Sequence, residues 1–68
     1  MDMKPVISSN IAAIGFDNGT LTVEFKNGGR YEYMGVDKGV YEAMQTAESI
    51  GRYFLQNIKG SYACQKVG

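Results

Sequence analysis

Ser49-Ile50-Gly51-Arg52 gathers a hydroxyl, a backbone position without a side chain and a guanidinium at the start of a segment whose apolar residues Ile50, Phe54 and Ile58 recur at helical spacing. A helix start presents oriented N–H groups and the positive end of the peptide dipoles, so the chemistry this group could do is anion recognition. Gly51 would let a ligand approach the backbone, and Arg52 would supply bidentate contacts to a phosphate. Lys59, about two turns further on, points to roughly the same side as Arg52. The ordinary structural reading of the same residues is a Ser N-cap, a helix-packing Gly and a solvated Arg.

Covalent chemistry has little to work with. Histidine is absent, which removes the commonest general base, the commonest neutral metal ligand and every Ser-His or Cys-His nucleophile. The acidic residues Asp2, Asp17, Glu24, Glu32, Asp37, Glu42 and Glu48 are scattered, with no two at metal-ligand spacing on a helix. Glu24 and Glu32 read as cross-strand partners of Lys26 and Arg30 on a solvated surface. Cys64 is the lone cysteine and lies in a polar stretch without a visible cause of reactivity. A non-enzymatic protein with no metal and no cofactor is therefore expected.

The elements that must position the polar group begin with two hairpins. Asn18-Gly19 tolerates positive φ at both central positions of a type I′ turn, which pairs Phe16 with Leu21, Ile14 with Val23 and Ala12 with Phe25. Asn27-Gly28-Gly29 reads as a three-residue loop with a glycine in the left-handed region. That choice pairs Phe25 with Tyr31 and Val23 with Tyr33, and keeps both tyrosines on the apolar face as core residues. The opposite face carries Ala13, Gly15, Thr20, Thr22, Glu24, Arg30, Glu32 and Met34. After Val36 the apolar period lengthens. Asp37 is placed to cap a short helix bearing Val40, Tyr41 and Met44, and a second helix begins at Ser49 and ends at Gly60.

The fold class is α+β: a three-stranded antiparallel β-meander with two helices packed on one face. Residues 1–10 form an extended N-terminal segment, 11–62 a single domain and 63–68 a C-terminal tail. A chain of 68 residues has room for one small core, and oligomerisation is a common remedy at that size, so a homo-oligomer, a dimer or tetramer, is expected. No apolar run is long enough to span a membrane, and the first residues lack the pattern of a signal peptide, which makes the cytoplasm the default location. The formal charge is zero, yet only basic residues, Arg52, Lys59 and Lys66, follow Glu48. Three cations are too few to hold long nucleic acid by counterion release and enough for a small anion.

Ser8-Ser9-Asn10-Ile11, Gly15-Phe16-Asp17, Leu21 to Phe25, Tyr31-Glu32-Tyr33, Gly35-Val36, Tyr41, Ser49-Ile50-Gly51, Phe54, Ile58-Lys59 and Tyr62 together resemble the KTSC domain, nearly end to end. That domain takes its name from the C-terminus of some lysyl-tRNA synthetases and also occurs as a small stand-alone protein in bacteria and phages. Leu55 departs from the pattern, standing where many members carry a polar residue, often Asn. The resemblance implies RNA binding for the synthetase-associated members and, for small phage members, sequestration of cyclic dinucleotide immune signals by an oligomer, in the host cytoplasm. A near-neutral free-standing domain with one basic corner looks more like the second kind.

The expected site is then a polar pocket for a cyclic dinucleotide. Its phosphates meet Arg52, Lys59 and the helix start with Ser49 and Gly51, joined by Ser8, Ser9 and Asn10 of the same or a neighbouring subunit. Tyr53, which lies off the Ile50-Phe54-Ile58 stripe, and Tyr62 are the expected base platforms. Ser8, Ser9 and Asn10 equally suit a plain turn into the first strand. The rival readings are RNA binding and an oligomeric protein-interaction domain.

Overall fold

The structure, a computed structural model, describes residues 3–68; Met1 and Asp2 of the expected N-terminal segment lie outside the described residues. Five antiparallel strands stand in chain order in one sheet: β1 (Lys4–Pro5), β2 (Ile11–Asp17), β3 (Thr20–Phe25), β4 (Arg30–Tyr33) and β5 (Cys64–Lys66). Helices α1 (Lys38–Thr46) and α2 (Ile50–Tyr53) lie between β4 and β5, and α2 runs directly into a π-helical segment, Phe54–Ile58.

The first hairpin follows from its turn. Asn18 and Gly19 take φ of 47° and 78°, and Phe16 pairs with Leu21 and Ile14 with Val23. Further along, the expected partner of Phe25 is corrected: Ile11 stands opposite Phe25, and the register shifts between Ile11 and Ala13. The extra residue is a β-bulge, which turns Ile11 into the core with Ile14 where strict alternation would have placed Ala12. Both isoleucines are fully buried. Burying a whole Ile side chain is worth about 1.5–3 kcal/mol, far more than burying a methyl, so the bulge is favoured.

The second loop has three residues, but they are Lys26, Asn27 and Gly28, one position earlier than expected. Phe25 N–H donates to Gly29 C=O at 2.8 Å, Gly28 N–H donates to Phe25 C=O at 2.9 Å, and Gly28 takes φ of 98°. Val23 therefore pairs with Tyr31 and Leu21 with Tyr33. Sliding one strand by two residues leaves the faces unchanged, so the tyrosines still point at the helices.

The expected three-stranded meander is corrected to five strands. Part of the presumed tail is β5, with Tyr31 opposite Lys66 and Tyr33 opposite Cys64, and the N-terminal segment adds Lys4 and Pro5 opposite Ile14 and Ala13. Both added strands are held by backbone bonds, such as Met34 N–H to Ala63 C=O and Val67 N–H to Arg30 C=O, each 2.8 Å. Pro5 suits an edge, where its missing N–H costs no ladder bond.

One sheet face carries the core: Ile11, Ile14, Leu21, Val23 and Tyr33 against Val36, Met44, Phe54 and Ile58. Phe16 stacks on Tyr41 with ring centres 5.2 Å apart, fastening α1 to the first hairpin. Asp37 occupies the N-cap of α1 without a side-chain bond; its carbonyl accepts from Val40 and Tyr41 N–H instead. On the opposite face Arg30 pairs with Glu24 at 3.1 Å, the cross-strand pairing expected there, while Ala13, Gly15 and Thr22 are buried at its centre.

Candidate functional site

Where β3, β4 and the π segment meet, the aromatic part of the core opens into a cleft of about 380 Å³. That volume falls in the range of small-molecule sites. Its aromatic wall consists of Phe25, Tyr31, Tyr33 and Phe54. Phe25 meets Tyr31 and Phe54 edge-on at 5.7 and 5.5 Å, and Phe54 meets Tyr33 edge-on at 5.4 Å, so each ring fixes the next. Asn10 and Asn27 add amides from the two loops, while Gly51, Leu55 and Lys59 line the helical side.

The π segment explains why those last three residues share one side. In an α-helix each residue advances about 100°, which would carry Lys59 round to the side of Arg52. Here Lys59 N–H reaches back five residues to Phe54 C=O at 2.9 Å, and this wider winding advances less per residue. Residues four apart stay in line: Phe54 and Ile58 inward, Gly51, Leu55 and Lys59 along the cleft.

Lys59 is the formally charged side chain of the cleft lining, and no carboxylate shares it. Burial, with smaller contributions from the neighbouring Cys64 and Tyr31, pushes the Tyr33 phenol up to about 12. Cys64, which the sequence marked as incidental, also lines the cleft, opposite Tyr33 in the β4–β5 ladder.

Of the residues expected to bind a ligand, the structure brings Asn10, Gly51 and Lys59 to the cleft, with Ser8 beside them. A Cβ at Gly51 would stand 3.2 Å from Ser8 Oγ, which accepts long bonds from the N–H groups of Asn10 and Ile11, both 3.4 Å. Ser8 thus also makes the turn into β2. Ser49 Oγ caps its helix by accepting from Arg52 N–H at 3.2 Å; neither residue lines the cleft, and neither does exposed Ser9. Tyr53 and Tyr62 are half-buried against the core and outside the lining. The aromatic surface of the cleft comes instead from Phe25, Tyr31, Tyr33 and Phe54, and Asn27, Leu55 and Cys64 were not singled out as ligand contacts either. The aromatic spacing Tyr31-Glu32-Tyr33 was the signal available for them. Parity sent both rings to the core face, and at the edge of that face core and cleft are the same surface.

A small α+β sheet domain with an aromatic cleft beneath a helix start is the class that emerges, and comparison with known proteins identifies it. The KTSC domain pattern matches residues 7–62, and the chain belongs to the KTSC domain family. A crystal structure of a KTSC domain protein from Yersinia pestis superimposes with a TM-score of 0.95 at 39% identity, covering 98% of this chain and 97% of that one. A segment of the lysine–tRNA ligase of Trichormus variabilis is 42% identical over 48 residues, 71% of this chain. The chain spans 9% of the length of that ligase. An uncharacterised protein of Stutzerimonas stutzeri is 39% identical over 54 residues, 76% of each chain. Among the described residues no helix is long and apolar enough to cross a membrane.

Proposed function

We propose that the cleft binds a cyclic dinucleotide and holds it without turnover, so that the protein acts by sequestering a nucleotide signal. The observation that carries this reading is the lining itself: the partly exposed Phe25 and Tyr31 rings, backed by the buried Tyr33 and Phe54, beside one lysine, with no carboxylate side chain. Aromatic faces accept any base, amides such as Asn10 and Asn27 can read base edges, and a cation without a competing acid favours a phosphate. Retention without cleavage is proposed because the chain has no histidine to serve as general base. Within this reading the phosphate contact belongs to Lys59 rather than Arg52. Leu55, half exposed at the rim, offers an apolar surface where the family resemblance implies a polar residue, often Asn.

The likeness to lysine–tRNA ligase segments favours RNA binding as the second reading. Calorimetric titration with cyclic dinucleotides and with a short single-stranded RNA separates the two, and chromatography of the released ligand follows its fate. Saturable binding of the dinucleotide, recovered intact and weakened about tenfold in Lys59→Gln, supports the proposal; the scale is that of a charge-assisted contact. Cleaved ligand, or binding confined to RNA, overturns it.

A further inference from the structure

Asn27, exposed in the β3–β4 loop, lines the cleft with its amide turned back on the chain: Oδ1 accepts from the N–H of Gly29 at 3.0 Å. This is the bond by which an asparagine holds a turn two residues ahead of itself. A backbone N–H can only donate, so the end of the amide that faces Gly29 is the oxygen, and the end left to a ligand is the NH2 with its two donors. Gly29 also joins the amide to the aromatic wall. A Cβ built there would stand 3.3 Å from Asn27 Oδ1 and 3.5 Å from Tyr31 Cε1, so amide and ring edge flank one residue that has no side chain to part them. Phe25 meets the Tyr31 ring edge-on at 5.7 Å and fixes it in turn. A flat base lying on Tyr31 brings its rim to Asn27.

We infer that Asn27 sets the base preference of the cleft and selects guanine over adenine. The inference rests on the nucleotide reading of the cleft and narrows its ligand to one that carries guanine. Asparagine reads adenine by using both ends of its amide at once, the oxygen accepting from the N6 amine while the NH2 donates to N7. Here the oxygen is turned to Gly29, and donors are what the amide offers the cleft. Guanine carries two acceptors side by side, O6 and N7, on the corresponding edge. Adenine has its amine where O6 would be, so donor meets donor.

The test titrates wild type and Asn27→Asp with cyclic di-GMP, cyclic di-AMP and cyclic di-IMP, the last of which keeps O6 and N7 and lacks the guanine N2 amine. Wild type is expected to prefer cyclic di-GMP over cyclic di-AMP about tenfold, near the low end of what a two-bond base contact discriminates, and to bind cyclic di-IMP within about threefold of cyclic di-GMP. Asn27→Asp keeps an oxygen for the Gly29 N–H and puts an acceptor where the NH2 stood. Its added charge weakens all three ligands alike, so the readout is their ratio, and the preference for cyclic di-GMP is expected to vanish or invert. A merely structural role for Asn27 would leave that ratio unchanged, because the turn bond survives. If wild type binds cyclic di-AMP as tightly as cyclic di-GMP, if cyclic di-IMP falls to the level of cyclic di-AMP, or if Asn27→Asp keeps the wild-type ratio, Asn27 does not select the base, while the nucleotide reading stands. If wild type binds none of the three, both fall together.

Discussion

Gly51 and Ser8 lie so close that a methyl group on Gly51 would sit 3.2 Å from the Ser8 hydroxyl oxygen. The contact joins the helix start to the turn before β2, and both sides border the cleft. Alanine at position 51 gains about 1 kcal/mol of helix propensity but must push Ser8 aside by a few tenths of an ångström. Gly51→Ala is therefore expected to be near neutral in wild type and stabilising by about 1 kcal/mol in a Ser8→Ala background. A double-mutant cycle by urea denaturation measures the coupling, and additive effects would show that the contact is not tight.

The Tyr33 phenol gives the fold an alkaline limit. Its folded value is raised from 10.0 to about 12, chiefly by burial, so between those values the unfolded chain releases a proton that the folded chain retains. Stability is then fully present below pH 10.0 and is lost as pH rises toward about 12, with Tyr41, also raised by burial, adding to the fall. Urea midpoints followed upward from neutral pH are expected to stay level and then decline above about pH 10, and the decline should be shallower in Tyr33→Phe. An equal decline in the two proteins would assign the alkaline limit elsewhere.

How much of this was legible depended on whether side chains or backbone alone held each part. Asn18-Gly19 specified its turn because two consecutive positive φ values admit few other residues. Asn27, Gly28 and Gly29 are all permissive, so the second loop slid by one position, shifting partners by two and preserving every face. The bulge at Ala12 was hidden because alternation runs unbroken through Ala12, Ile14 and Phe16, and only the volume of Ile11 argues against it. Strands β1 and β5 bury no side chain to speak of, so no apolar pattern announced them. The cap at Ser49 was read correctly from its chemistry. The cleft was not, because an α-helical projection sets Lys59 beside Arg52. The four-residue recurrence of Ile50, Phe54 and Ile58 fits an α-helix as well as the wider winding, so the apolar pattern did not reveal where Lys59 turns.

Salt and length dependence separate a dinucleotide cleft from an RNA track. A dinucleotide with two charges lacks the condensed counterion atmosphere of a polyanion, so the logarithm of its affinity should fall only shallowly with the logarithm of salt, at a slope no steeper than about −2. Affinity should also saturate at the dinucleotide. Fluorescence anisotropy with labelled oligonucleotides of increasing length checks this, and affinity that keeps climbing with length, with a steepening salt slope, would favour RNA.

Phe54 carries both the fold and the cleft, and that double role can be tested against a residue that carries only the fold. Its ring meets Phe25 and Tyr33 edge-on, contacts worth about 0.5–1.5 kcal/mol each beyond the area they bury. Phe54→Leu keeps much of the bulk and loses both, so a destabilisation of about 1–3 kcal/mol is expected. Phe25 and Tyr33, released from their edge contacts, should also turn within the cleft and weaken dinucleotide binding. Met44 is fully buried but lies outside the cleft lining, so Met44→Leu should cost less than about 1.5 kcal/mol and leave affinity unchanged. Denaturation and calorimetry on the two variants check the contrast. If Met44→Leu lowers affinity as much as Phe54→Leu, binding follows global stability, and the aromatic cleft has no separate part in it.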